Sequence, residues 1–242
     1  MFRPMKVVLS VGGSILAPSG GHEQVAAYAE AIQELVAAGC TVGVVVGGGA
    51  IAREYIENGR ALGANEIELD GIGIAVTRLN ARLLIAALGD SVHPTPAETY
   101  EEARTHLGTR DVCIMGGSSP GHTTDAVSAA LAEYIDAELL VLATSVQGVF
   151  DADPNVHADA TKFDQLSPQE LVDAIADLEM NAGSSAPVDL LAAKLIDRSD
   201  MRSIVLDGND ASNVTRAVRT GAHNGTAVTP AVASTPSLWP DA

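Results

Sequence analysis

Short apolar runs alternate along this chain with longer amphipathic stretches. Lys6–Val11, Val42–Val46, Val112–Met115 and Glu138–Ala143 are nearly continuous in apolar residues, as strands buried on both faces are. His22–Ala38 instead sets Val25, Ala29, Ile32 and Val36 at helical spacing and stops at Gly39, and Ala50–Leu62, Ile72–Leu88 and Asp125–Tyr134 also read as helices. Thr95-Pro-Ala-Glu98 and Ser167-Pro-Gln-Glu170 each match a capping box with proline at the first helical position, so a helix is predicted to start at each. Ser203–Leu206 and Thr226–Val228 are predicted strands flanking a helix over Ala211–Arg219. Ser145–Thr161 is a polar loop too long for a plain connection, predicted to be functional or hairpin-forming. Strands separated by helices predict an α/β fold, an open three-layer α/β/α sandwich with a mainly parallel central sheet. Its ligands are expected beyond the carboxyl ends of the strands. Residues 5–228 are expected to form one domain, with 1–4 as an N-terminal extension and 229–242 as a disordered tail.

Three of the apolar runs end on glycine-rich turns: Val7–Ser14 (VVLSVGGS), Val42–Gly49 (VGVVVGGG) and Val112–Thr124 (VCIMGGSSPGHTT). A glycine turn after a buried strand lets backbone approach a phosphate, and the following helix aims free N–H groups at it. Three such turns suggest several phosphates. No turn is followed by Gly-Lys, which excludes a P-loop. Gly47-Gly-Gly-Ala-Ile-Ala52, with Glu66, Glu68 and Asp70 downstream, has the spacing of a dinucleotide-binding fingerprint. That reading leaves the turns before and after it unexplained.

Charge narrows the partners. The 242 residues carry 31 acidic and 14 basic side chains, a formal net charge of −17, and lysine occurs only at positions 6, 162 and 194. Nucleic acid and anionic membranes are therefore poor partners. An acid-rich, lysine-poor surface over an Ala/Val interior fits a high-salt cytoplasm better than an acidic mesophilic one. Cys40 and Cys113 stand beside or inside strand runs and read as core residues in a reducing compartment. No uninterrupted apolar stretch reaches the ~18 residues of a membrane span, and a cytoplasmic location is expected.

The ordered set Gly12-Gly13-Ser14, Gly47-Gly48-Gly49 with Arg53, Asp70-Gly-Ile-Gly, Gly116–Asp125 and Thr144–Asp153 resembles the amino acid kinase superfamily, and more closely its archaeal-type uridylate kinases. Pro120–Ala126 (PGHTTDA), Ile51–Glu57 (IAREYIE) and Ala182–Ile196 (AGSSAPVDLLAAKLI) are similar to that family in sequence as well as in order. The resemblance runs from about Met5 to Val228. It implies ATP-dependent phosphorylation of UMP to UDP in pyrimidine nucleotide synthesis, a Mg²⁺ requirement and a homohexamer built from dimers. Carried over to matching positions, it places Gly13 and Ser14 at the ATP phosphates, Gly49 and Arg53 facing the donor, and Thr144, Phe150 and Asp153 at adenine and ribose. Gly48 then faces the UMP phosphate, Asp70 the UMP ribose, and Ser118, Ser119, Pro120, Gly121, His122, Thr123 and Thr124 surround the acceptor nucleotide. Asp125 matches the acidic residue that organises the catalytic centre, so Arg53 and Asp125 are the candidate catalytic residues. No metal ligand is assigned. Sister kinases acting on isopentenyl phosphate or carbamate, and molybdate-storing relatives of the same fold, are the competing readings.

The chemistry agrees with such a site. Phosphoryl transfer asks mainly for alignment and charge compensation. The acceptor is already a phosphate oxygen, so no general base is assigned. Ser10 stands where many superfamily members carry a catalytic lysine, which archaeal-type relatives also lack, and Phe150 stands where a tyrosine is common. Several residues keep a plainer alternative. Asp70 fits a helix cap as well as a ribose contact; Arg53 has Glu57 at i,i+4; Arg78 and Arg82 share a helix face suited to solvent or an interface. Lys194 fits a snorkelled stem or a phosphate contact.

Overall fold

A computed structural model of the protein describes residues 5–16, 21–180, 186–230 and 239. Residues 1–4, most of the expected tail and part of the 182–196 segment lie outside these. The elements are β1 (Lys6–Val11), α1 (Gly13–Leu16), α2 (Glu23–Ala37), β2 (Thr41–Val46), α3 (Gly49–Ala61), α4 (Glu66–Leu88), α5 (Tyr100–Leu107), β3 (Val112–Met115), α6 (Thr124–Tyr134), β4 (Leu139–Thr144), β5 (Gln165–Leu166), α7 (Pro168–Met180), α8 (Leu190–Arg198), β6 (Ser203–Asp207), α9 (Ser212–Thr220) and β7 (Thr226–Val228).

Among the described residues the strands form one seven-stranded sheet in the order β3-β2-β1-β4-β6-β7-β5. All pairings are parallel except β6 with β7. Side chains alternate across it as the pleat requires. Val7, Leu9 and Val11 join one core with Tyr28, Ile32, Leu84 and Val214 from α2, α4 and α9. Val8, Val45 and Leu140 join a second core with Val127, Leu131, Ile175 and Ile196 from α6, α7 and α8. The chain winds outward from β1 through β2 to β3 and returns across β1 to β4. The strand order therefore reverses between β1 and β4, where an open α/β sheet leaves a crevice at its carboxyl edge.

Four local expectations are revised. The helix expected from Ile72 begins at Glu66, because Asn65 and Glu68 form a capping box: the Glu68 N–H donates to Asn65 Oδ1 (3.1 Å) and the Asn65 N–H to Glu68 Oε2 (2.8 Å). Asp70 thus lies inside α4 and is not its cap. No helix starts at Thr95-Pro-Ala-Glu98. Ala97 bridges to Met115 beside β3, its N–H donating to Ile114 O (2.9 Å), and α5 waits for Thr99, whose hydroxyl accepts from the Glu102 N–H. The second box behaves as predicted: Ser167 and Glu170 exchange backbone and side-chain bonds at the start of α7. Finally, the helical stretch Glu66–Ser91 has the length and mean hydropathy (1.5) to cross a membrane. Charged residues interrupt its sequence, yet the helix continues past Gly71 and Gly73. Its inward face (Leu69, Val76, Ala81, Leu84, Leu88) is buried, while Ile67, Leu79 and Leu83 are exposed.

Candidate active site

The first two glycine turns interlock. The Gly12 N–H donates to Ala143 O (3.2 Å) and the Gly47 N–H to Val11 O (2.9 Å), carrying the ladder past the strand ends. A Cβ on Gly13 would lie 2.1 Å from Gly49 N, and one on Gly47 would lie 2.4 Å from Gly13 N. Gly49 also has φ +65°, which favours glycine. These glycines let two turns pack backbone on backbone, a requirement that precedes any approach to a phosphate. Gly13 is accordingly buried, and its neighbours Gly12 and Ser14 face the crevice.

Two cavities open at the carboxyl edge. The first, of about 200 Å³, sits at the β1/β4 reversal between Gly12, Ser14, Asp125, Thr144 and the loop after β4, which contributes Val146, Gly148, Phe150, Ala152, Pro154 and Asn155. Phe150 pairs with Lys162 in an antiparallel bridge, so this loop folds back as a hairpin onto the sheet. The second, of about 250 Å³, lies between the starts of α3 and α6 and the middle of α4, lined by Gly48, Gly49, Arg53, Asp70, Thr77, Ser119, His122 and Thr123. Thr124 lines both. The two compartments therefore meet at the N-terminus of α6, where free N–H groups and the positive end of the helix favour an anion.

Side chains from distant segments hold this junction. The Thr123 hydroxyl caps α6 by accepting from the Ala126 N–H (3.1 Å) and donates to Asp189, which itself caps α8 at the Ala192 N–H (3.0 Å). Asp70 Oδ2 accepts from the Gly121 N–H (2.7 Å), tying α4 to the third turn. Two further residues of α4 complete the frame. Thr77 Oγ1 accepts from the Gly117 N–H (2.7 Å), and Asn80 Nδ2 donates to Gly47 O (2.9 Å) and Gly48 O (3.2 Å). Nothing local in the sequence marks Thr77, Asn80 or Asp189 for these contacts, which arise only when the turns meet α4 and α8.

Asp125 is partly buried on the wall of the first cavity and accepts from the Ser10 hydroxyl through Oδ1 (2.7 Å). Burial pushes its carboxyl up to about 6 against that hydrogen bond, and the charge of Asp189 pushes in the same direction. A carboxylate so placed is short of positive charge. Arg53 is exposed and forms no ion pair among the described residues.

Most of the predicted residues converge here, with exceptions. Gly49 and Arg53, expected to face the donor compartment, line the second cavity instead. Asp153 is 4% exposed and off the wall, its Oδ1 accepting from the Asn155 backbone (2.9 Å) and side chain (3.1 Å). Ser119, His122 and Thr123 line the second cavity, whereas Ser118, Pro120 and Gly121 line neither cavity. Arg78 pairs with Glu98 (2.7 Å) and its Nε donates to Gly117 O (3.3 Å). Lys194 is exposed on α8 and lines neither cavity.

Comparison with known proteins places this geometry. The model of the amino acid kinase family matches residues 5–207. A uridylate kinase of Halobacterium salinarum is 64% identical over 226 residues, covering 93% of this chain and 94% of that protein. One from Halorubrum lacusprofundi is 60% identical over 235 residues, covering 97% and 98%. The crystal structure of uridylate kinase from Archaeoglobus fulgidus superposes with a TM-score of 0.83 at 46% identity, covering 93% of this chain and all of that one. The chain belongs to the amino acid kinase family, within its uridylate kinases.

Proposed function

We propose that this protein transfers the γ-phosphoryl group of ATP to the phosphate of UMP, yielding ADP and UDP for pyrimidine nucleotide synthesis. The observation that carries this reading is the pair of compartments meeting at Thr124, one nucleotide to each side and the reacting phosphates at the α6 N-terminus. The first compartment suits ATP. Gly12 and Ser14 offer backbone to its phosphates, and Phe150 and Pro154 offer apolar surface to its base. The second suits UMP, with Gly48 and Gly49 at its phosphate, Asp70 near its ribose, and Ser119 and His122 along its length. Arg53 lies on the acceptor side, from which its flexible side chain reaches toward the transferring group.

Catalysis then consists of alignment and charge compensation. Asp125 is a hard oxygen donor short of a cation, which fits Mg²⁺ arriving with ATP; bound there, Mg²⁺ would offset charge on the transferring oxygens. Ser10, in place of a first-strand lysine, orients Asp125 and adds no charge. The acceptor oxygen needs no base. Incubation with ATP, Mg²⁺ and UMP should produce UDP and ADP in equal amounts; ADP without UDP would overturn the reading.

Two coarser expectations follow. The exposed apolar residues of α4, Ile67, Leu79 and Leu83, with Tyr55 of α3 and Leu62 just beyond it, suit burial against further copies of the chain, in line with a hexamer of dimers. Sedimentation at molar KCl should give the mass of six chains. The net charge of −17 and the halophile relatives favour a salt-requiring cytoplasmic enzyme. Its melting temperature should rise toward molar KCl as screening relieves carboxylate repulsion.

A further inference from the structure

The α4 helix aims two buried polar side chains, Thr77 and Asn80, at glycine turns, and the turn that Asn80 holds has no side chain of its own to shape it. Asn80 is 1% exposed, and its amide gathers two consecutive carbonyls, Gly47 O at 2.9 Å and Gly48 O at 3.2 Å. A peptide unit is planar and trans, so fixing a carbonyl also fixes the direction of the N–H on the opposite side of the same plane. The two planes held by Asn80 carry the N–H groups of Gly48 and Gly49. Both residues line the second cavity, and α3 starts there without a side-chain cap, the kind of helix start whose N–H groups suit an anion. The turn cannot hold itself by side chains. A Cβ on Gly48 would lie 2.4 Å from the Ala52 Cβ, and one on Gly49 would lie 2.6 Å from Gly13 C.

We propose that Asn80 is a positioning residue for the phosphoryl acceptor: its amide clamps the Gly47 and Gly48 carbonyls and so aims the Gly48 and Gly49 N–H groups at the acceptor phosphate. Asn80 touches no substrate itself. The neighbouring contact supports a division of labour along one helix, since Thr77, a turn earlier, holds Gly117 of the third turn (2.7 Å). The donor cavity includes neither Gly48 nor Gly49, so loss of the clamp should be felt on the acceptor side. The inference rests on the reading of the second cavity as the UMP compartment.

The test uses the full chain in molar KCl. Asn80→Asp keeps the shape and removes the donor; Asn80→Ser keeps one shorter donor; Asn80→Ala keeps none. Asn80→Asp should raise the KM for UMP at least tenfold while the KM for ATP stays within threefold, and Asn80→Ser should recover part of that loss. Calorimetric UMP affinity should weaken in parallel with no change in ATP affinity. Equal losses for both substrates, or losses that only follow a fallen melting temperature in Asn80→Ser, would assign Asn80 to the fold and overturn the proposal. Should Asn80→Ala or Asn80→Asp fail to fold, the serine variant decides by the same split. The underlying reading fails separately: in that case the parent protein itself does not phosphorylate UMP.

Discussion

The two compartments are built in different ways. On the donor side the turn after β1 is set by backbone, seated against the turn after β2 so tightly that a Cβ on Gly13 would fall 2.1 Å from Gly49 N. The acceptor side is assembled by side chains of α4 that each reach a different turn: Asp70 to Gly121, Thr77 to Gly117, Asn80 to Gly47 and Gly48. Backbone contact narrows the arrangements open to the turn after β1, whereas the acceptor-side turns also depend on single hydrogen bonds, each worth about 1 kcal/mol net. The donor turn is thus set mainly by the fold itself, and the acceptor turns receive a further adjustment from α4 residue by residue.

The largest effect should come from breaking that contrast at its rigid end. Gly13→Ala forces two backbone segments apart and should cost more than about 3 kcal/mol and abolish transfer. Gly121→Ala, in the acceptor loop, meets nothing within 4 Å and carries only the strain of φ +80°, so a loss of about 1 kcal/mol is expected. Chemical denaturation of the two variants side by side checks this; similar losses would erase the distinction.

Arg53→Ala should lower kcat/KM by about two orders of magnitude, because a charge-assisted phosphate contact is worth a few kcal/mol in a water-poor site. Its melting temperature should not move, since Arg53 is exposed and unpaired among the described residues.

Asp125→Asn should separate stability from activity. The carboxyl is pushed from 3.8 up to about 6, so the fold favours its protonated form. Stability from this group is fully present below pH ~4 and is lost as pH rises through about 6. Asparagine, unable to ionise, should leave the variant about 1–2 kcal/mol more stable than the parent at pH 8, with the gap closing toward pH 4. Transfer should be lost while ATP binding changes little. A variant no more stable than the parent at pH 8 would remove burial as the cause.

Asp70→Asn is the smallest and sharpest of these tests. Since Asn65 caps α4, Asp70 has no capping role to lose, and asparagine can still accept from the Gly121 N–H. Melting should be unchanged, the KM for ATP unchanged, and the KM for UMP raised roughly tenfold as a charge-assisted bond becomes neutral. A fallen melting temperature with normal UMP kinetics would return Asp70 to a purely structural role.

These comparisons also show what was legible in the chain. Strand runs and glycine turns could be read because continuous apolarity and glycine clustering are local signals, and the sheet order then placed the crevice. Capping boxes divided by context. Ser167 and Glu170 met no competitor. Thr95 and Glu98 lost to pairing of Ala97 beside β3 and to the equivalent Thr99/Glu102 spacing four residues on. Asn65 went unread because Asp70 offered an equally good local cap. Thr77, Asn80 and Asp189 could not be read at all, since an ordinary polar residue in or before a helix acquires its role only from a turn dozens of residues away. Asp153 erred in the opposite sense: the loop that carries it lines the cavity, but the carboxylate turns back to Asn155.

The central claim, a donor nucleotide and a UMP meeting across Thr124, is tested most directly by an acceptor panel. With ATP and Mg²⁺ in molar KCl, ADP release should be measured against UMP, CMP, AMP, isopentenyl phosphate and carbamate. The account predicts the highest kcat/KM for UMP, and an equal or higher value for any other acceptor would contradict it.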